Sequence, residues 1–403
     1  MHVYSKMFLL SYNTRRGKNG LQAIGRTFGS SNHLKQMNLS RNSNIGNDGM
    51  ATFATSIVTA SSSTTTTALP SLESLILSDC NIGPLGMQSL AQILTPSADD
   101  SIIRRAQQIN LTISSNPIGA EGCDTLSKLI SISSDKGEDG GSSSSSILSH
   151  LFMSQCSIGD EGLVNLLQSA ASTTMDTSMG HFSGLTVLDL SENSITKDGV
   201  KVLAESLTRS WPDLVELKLA KNELEGEGVV ALMESLVSRS DKVDYSTEEE
   251  KEEKKNATLD NLDISCTNCG IEGAKAALMS GGLTTLRLFN NRLGSDGFYA
   301  IAPLLQGGHP SIENLDLGGN NADEDAVVAL LNSIADNNTT AGTTINDGSN
   351  FTSTLSVLEI GGNKFGNDAM EALNRLKLVF PKLDMAHDKP IQEAEMGEGK
   401  SED

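Results

Sequence analysis

Aromatic residues make up only 4 % of this 403-residue chain, and charged residues 20 %. A core with so few rings suits narrow, repetitive aliphatic packing better than one large globule. Cysteine is also scarce. The five, Cys80, Cys123, Cys156, Cys266 and Cys269, are odd in number and widely spread, which excludes a disulfide framework. No run approaches the 18 apolar residues that a membrane span requires. Positive charge is in short supply, with a net charge of −21 and 51 acidic against 30 basic residues. Such a chain repels phosphate backbones, so nucleic acid is excluded as a partner and basic protein surfaces are favoured. The start of the chain departs from this balance. Residues 1–47 hold seven Lys or Arg and no Asp or Glu. An acid-free start can be an organelle transit peptide, but it also reads as a first repeat.

Catalytic and metal-binding patterns are missing too. Cys266 and Cys269 have the spacing of half a zinc site, with no second Cys or His pair nearby. Cys269 falls on an apolar repeat position and is expected to be buried. The histidines form no spaced pair with a Ser or Cys nucleophile. The Gly318-Gly319 and Gly361-Gly362 pairs fit no phosphate-loop or dinucleotide fingerprint. The sequence therefore points to no catalytic residue, no metal and no cofactor.

What is present is a repeat. It reads LTVLDLSENSITKDGVKVLAESL from Leu185, LVELKLAKNELEGEGVVALMESL from Leu214 and LTTLRLFNNRLGSDGFYAIAPLL from Leu283. Further copies start at Leu34, Leu72, Gln108, Leu148, Leu259, Ile312 and Leu355. The opening residues fit as well. Ser5, Phe8, Leu10 and Asn13 take positions 1, 4, 6 and 9, and Leu21, Ile24 and Phe28 follow at helical spacing. That makes eleven repeats. Apolar positions 1, 4 and 6, such as Leu185, Leu188 and Leu190, point inward from a short strand, and positions 2, 3, 5, 7 and 8 face out. Position 9 is an amide at Asn42, Asn116, Asn193, Asn222, Asn291, Asn320 and Asn363, Cys at Cys80 and Cys156, and Thr at Thr267. A buried amide there can satisfy backbone groups where the strand bends away. Six residues later comes a Gly (Gly199, Gly228, Gly297), after which a helix is expected to begin. Its apolar face is Val200, Leu203, Leu207; Val229, Leu232, Leu236; Phe298, Ile301, Leu305; Val327, Leu330, Ile334. No single repeat buries its own face, so stability comes from neighbours.

The pattern L-x-x-L-x-L-x-x-[NC]-x-[IL]-x-x-x-G resembles the ribonuclease-inhibitor-like leucine-rich-repeat superfamily. The resemblance implies an α/β solenoid, a horseshoe with a parallel sheet on its concave face and helices on its convex face. It covers residues 1–385, with low-complexity insertions at 61–67, 133–146, 172–184, 240–256 and 337–354. A polar tail, 386–403, is expected to be disordered, and Leu376–Leu383 to cap the last repeat. Within the superfamily, acidic arrays of about eleven repeats resemble Ran GTPase-activating proteins. That likeness implies a cytoplasmic, perinuclear or nuclear protein that binds a small GTPase. No activator residue maps onto a motif of this chain.

On this register the outward residues of the later repeats are Asp189, Glu192, Glu216, Lys218, Lys221, Asp260, Asp263, Arg287, Phe289, Glu313, Asp316 and Glu359, with Phe152 a second exposed aromatic. They form a mostly acidic wall suited to a basic partner. Arg41, with Arg15 and Arg16, makes the opposite end basic. The leading expectation is a monomeric, non-enzymatic interaction scaffold without membrane contact. A GTPase activator and a fragment of an innate-immune-like sensor are the alternatives.

Overall fold

The computed structural model describes residues 7–9, 18–62, 68–95, 108–130, 147–171, 184–211, 213–241, 259–336 and 353–387. Ser5, Leu10, Asn13, Arg15 and Arg16 fall outside them, as do most of the expected insertions and residues 388–403 of the tail. The chain forms two compact units, Met1–Asp263 and Ile264–Asp403.

The first unit alternates strands and helices: β1 (Met7–Leu9), α1 (Lys18–Phe28), β2 (Gln36–Asn38), α2 (Gly46–Ser62), β3 (Ser74–Ile76), α3 (Pro84–Leu94), β4 (Ile109–Thr112), α4 (Gly119–Ile130), β5 (Leu148–Phe152), α5 (Gly159–Ala171), β6 (Val187–Asp189), α6 (Lys197–Ser210), β7 (Glu216–Lys218), α7 (Glu225–Asp241) and β8 (Asn261–Asp263). Its strands pair parallel, each with the next in the chain. The register holds position 4 against position 4: Met37 faces Leu75, and Leu188 faces Leu217. Of the expected first repeat, the described part has Phe8 paired to Met37 and its ring tilted by 53° against Phe28, with centroids 4.9 Å apart.

The second unit carries α8 (Gly270–Met279), β9 (Thr285–Arg287), α9 (Gly294–Ile301), β10 (Asn314–Asp316), α10 (Glu324–Ala335), β11 (Val357–Glu359), α11 (Asn367–Val379) and β12 (Asp384–Ala386). Strands β9 to β12 are again parallel and in chain order. Leu376 and Leu383 are buried before β12, and the described chain continues past the expected tail boundary, with His387 stacked on Phe365.

The core follows the repeat. Leu185, Leu188, Leu190, Leu214, Leu217, Leu219, Leu283, Leu286, Leu288, Ile312, Leu315 and Leu317 are all buried. The register expected from Gln108 is corrected in one place. Gln108 is exposed and Ile109 is buried in its stead, opposite Leu148, because β4 and β5 slip by one residue between Ile109 and Asn110.

Position 9 behaves as an amide ladder. Asn193 Nδ2 donates to Met153 O (2.8 Å) and Leu190 O (3.0 Å), while its Oδ1 accepts Cys156 N–H at 2.8 Å. Asn222 repeats this one turn on, toward Leu190 O, Leu219 O, Asn193 N and Ile195 N. The substitutes keep only part of the pattern. Cys80 and Cys156 donate weakly to Leu39 O and Ile113 O, and Thr267 Oγ1 donates to Ile264 O.

The helices do not begin after the repeat glycine. Gly199, Gly228 and Gly297 sit inside the first turn of α6, α7 and α9. A side chain at Gly228 would meet Val200 Cγ1 at 2.6 Å, and one at Gly199 would run into the Asp160 carboxylate, so glycine lets each helix start pack closely. The helix ends are also capped from the preceding repeat. Asn47 Oδ1 accepts Gly83 N and Gly86 N, the Asp160 carboxylate accepts Thr196 N, and Glu324 Oε1 accepts Asp368 N and Ala369 N, all within 2.8–3.0 Å. These oxygens satisfy N–H groups that a helix start leaves open. Pro303 lacks an N–H, and the chain after α9 tightens into a 3-10 turn, Ala302–Leu305, that still buries Leu305. His309 is buried in the second unit. Its Nδ1 accepts Ser311 N–H and Ile312 N–H, so Nε2 carries the proton and donates to Leu278 O at 3.0 Å. Burial pushes its pKa down.

Candidate functional site: the outward strand faces

Alternation along each strand places position 5 outward between two buried residues, and the following turn carries positions 7 and 8. That turn holds position 8 at positive φ in repeat after repeat, from Arg41 (60°) through Gln155 (55°), Glu192 (56°) and Lys221 (56°) to Asn290 (51°).

In the first unit the expected wall is largely paired with itself. Glu192 accepts from Lys221 Nζ at 2.9 Å and from Gln155 Nε2 at 2.6 Å, and Gln155 Oε1 accepts from Ser115 Oγ at 2.9 Å. These four side chains, all at position 8, form a hydrogen-bonded line across four repeats. The Lys221 and Gln155 donors hold the Glu192 carboxyl below its usual pKa. Lys218 bridges Glu216 at 2.8 Å, and its ammonium lies 5.7 Å from the Phe152 ring centroid. Phe152 is therefore half-buried rather than exposed, and its other neighbour is the His150 ring. Burial lowers the His150 pKa, with Glu216 opposing. Asp189 is turned inward to its own loop, where Oδ1 accepts Ser191 N–H at 3.0 Å. Asp260 and Asp263 are half-buried beside and on β8. Lys35 and Glu73, both at position 2, make a further ion pair, and Arg41 is exposed at its turn. Reversing Asp189 would therefore break a turn as well as a surface charge.

In the second unit the outward groups are less engaged. Asp316 Oδ1 accepts Gly318 N–H at 2.9 Å, as Asp189 does in its turn. Arg287, Glu313 and Glu359 are exposed, and their side chains make no hydrogen bond or ion pair among the described residues. Phe289 is 44 % exposed. Its ring lies over the backbone of Gly318-Gly319: a Cβ on Gly319 would stand 3.0 Å from Phe289 Cζ, and one on Gly318 3.1 Å from Cδ2. The next turn continues this bare surface, since a Cβ on Gly362 would be 2.9 Å from Gly319 Cα. The glycine pairs, which match no phosphate motif, make room for a ring and for backbone stacked on backbone.

Four cysteines are buried. Burial pushes Cys80 up to about 11 and Cys123, Cys156 and Cys269 up to about 12, while Cys266, at position 8, is half-buried. Among the described residues no three His, Cys, Asp or Glu side chains are grouped to hold a metal. No helix of the described residues is long and apolar enough to cross a membrane.

The profile of the family described as Leucine Rich repeat matches residues 30–54, 68–91, 185–204 and 212–233 of the first unit and 283–302 of the second. The matched segments are leucine-rich repeats. Each matched segment runs across an outward strand face into the helix behind it. No curated protein matches the chain. Among solved structures, a chain of the crystal structure of the Rad7 and Elc1 complex in yeast is similar, with 14 % identity, 89 % of this chain and 77 % of that one covered, and a TM-score of 0.41. An internalin, inlF, from Listeria monocytogenes str. 4b F2365 gives 14 % identity, coverage of 93 % and 83 %, and a TM-score of 0.40.

Proposed function

We propose that this leucine-rich-repeat protein is a non-enzymatic interaction scaffold that binds a protein partner with a basic surface through the outward strand faces. One observation carries the reading. The second unit presents an exposed ring, Phe289, and the exposed charges Arg287, Glu313 and Glu359, whose side chains have no hydrogen-bond or ion-pair partner among the described residues. Aromatic and Arg side chains at the centre of an interface supply most of its binding energy. The first unit contributes a pre-paired face, whose Glu192–Lys221 and Glu216–Lys218 pairs fix side-chain positions before a partner arrives. The test is photocrosslinking of the full chain in its own cells. A benzoylphenylalanine at Glu359 should capture one discrete polypeptide, and the same group at Leu378, on α11, should not. Equal capture from both sites would refute the assignment to the strand face.

The resemblance to Ran GTPase-activating proteins gives a narrower version, in which the partner is a small GTPase and the scaffold speeds its GTP hydrolysis. Eleven strand–helix pairs among the described residues of an acidic chain support it. Adding the full chain to Ran–GTP should raise hydrolysis by several orders of magnitude. An unchanged rate would remove this version and leave the scaffold reading intact.

A further inference from the structure

The self-pairing of the first unit's outward face involves the turn residues at position 8 and the strands β6 and β7. It leaves the strand residues before them with unused groups. Strand register sets these out in two rows. Position 3 runs Met7, Gln36, Ser74, Asn110 and His150. Position 5 runs Leu9, Asn38, Ile76, Thr112 and Phe152. No Asp, Glu, Lys or Arg stands in either row, and burial holds His150 toward its neutral form. Charge begins on the next strands, at Asp189, Glu216 and Lys218. The charges beside the uncharged rows oppose one another. Lys35 pairs with Glu73 at position 2, and Arg41 and Asp79 are exposed at consecutive turns.

The hydrogen-bonding groups left over are mostly donors. Asn38 Oδ1 accepts Ser40 N–H at 2.9 Å, and Asn110 Oδ1 accepts the Ser149 hydroxyl at 2.6 Å. Their Nδ2 groups, and the side chains of Gln36, Ser74 and Thr112, make no hydrogen bond among the described residues. An uncharged face compensates the loss of water only for an uncharged ligand, and vacant donors need acceptors. Main-chain carbonyls of an extended segment are such acceptors. A sugar hydroxyl brings a donor with every acceptor and matches the asymmetry less well. Leu9, Ile76 and Phe152 in the same row offer contact to apolar side chains. The five strands span about 19 Å, the length of about six extended residues.

We propose that the outward face of β1–β5 is the docking site for an extended, uncharged segment of a protein partner, whose main-chain carbonyls accept hydrogen bonds from Asn38 and Asn110. The proposal rests on the interaction-scaffold reading. It adds a second contact, of different chemistry from the basic partner surface proposed above.

Phage displaying random twelve-residue peptides are selected on the immobilised full chain. Enriched peptides should contain a run of about six residues free of Asp, Glu, Lys and Arg, far more often than the unselected library does. One such peptide, labelled with fluorescein, is then titrated by anisotropy. N38D and N110D keep the oxygens that serve Ser40 and Ser149 and remove the vacant donors. Each should weaken binding at least about tenfold, as should I76K, which puts a charge at the centre of the row. Circular dichroism checks that the variants fold. Unchanged affinity in all three overturns the proposal, and so does failure to enrich any peptide. Enriched peptides that are basic, and that bind the three variants as they bind wild type, overturn this site and leave the scaffold reading standing. Labelled chitohexaose and maltohexaose are titrated alongside. Sugar binding that N110D abolishes, with no peptide enriched, assigns the face to a glycan and overturns the peptide site. The crosslinking test above judges the scaffold reading separately.

Discussion

Position 8 of the repeat is Gln155, Glu192 and Lys221 in three consecutive repeats of the first unit, and Asn290, Gly319 and Gly362 in three consecutive repeats of the second. The backbone is left-handed at all six, with φ between 51° and 74°. The turn itself therefore tolerates side chains, although left-handed backbone favours glycine. What differs is the neighbour. In the first unit the space above the turn holds a line of hydrogen-bonded polar side chains. In the second, a Cβ added at Gly319 would meet the Phe289 ring at 3.0 Å, and one at Gly362 would meet the backbone of the preceding turn, Gly319, at 2.9 Å. One repeat scaffold thus yields a self-satisfied polar face in one unit and an open aromatic platform in the other.

Each face should stand on a core of the same inward phase in its own unit, and the largest effect tests that. Leu188→Asp and Leu315→Asp each put a charge at a fully buried site. Each should cost more than about 4 kcal/mol and unfold its own unit. Circular dichroism with limited proteolysis would read this, and tolerance of either change would mean the inward phase is misassigned in that unit. Next in size is the amide ladder. Asn193→Ala removes donors to Met153 O and Leu190 O and strands the Cys156 N–H. A loss of about 2–3 kcal/mol is expected in urea unfolding, well above that of Cys156→Ala, and equal losses would contradict the ladder's role.

A smaller effect separates the faces directly. Gly319→Ala should destabilise by about 1–2 kcal/mol, through strain and displacement of Phe289. Gln155→Ala, at a similar φ, should change stability by less than about 0.5 kcal/mol. Similar midpoint shifts would show that the turn, and not the ring, demands glycine. Smallest is Glu192→Gln. The Glu192–Lys221 pair is solvent-accessible, so its removal should cost no more than about 1 kcal/mol and the difference should fade at high salt. A loss that persists in 1 M salt would argue against an ion pair.

Much of this fold is legible in the sequence because the apolar period is regular. Leu188, Leu217 and Leu315 could be assigned inward from spacing alone, and they are buried. Counting back from Leu111 places Gln108 inward, because a one-residue slip is invisible to a fixed period; the apolar Ile109 beside it takes the buried place. Glycine reads as a boundary and places the helix starts too late. Here it serves close packing against Asp160 and Val200 of the preceding repeat. The cross-repeat caps from Asn47, Asp160 and Glu324 link residues 36–45 apart, beyond any local pattern. The outward residues could be enumerated, but not which of them satisfy one another. A signal for that existed: Glu192 and Lys221 share position 8 in consecutive repeats, 29 residues apart. The open Phe289 surface depends on glycines in the next repeat, and only coordinates bring those together.

The register itself, on which both faces depend, can be tested within one turn. Cys266 stands at position 8, half-buried, and Cys269 at position 11, fully buried, with its thiol pushed up to about 12. Reaction of the folded chain with a thiol reagent, followed by peptide mapping, should modify Cys266 orders of magnitude faster than Cys269. Equal labelling of the two in protein that remains folded would contradict the account.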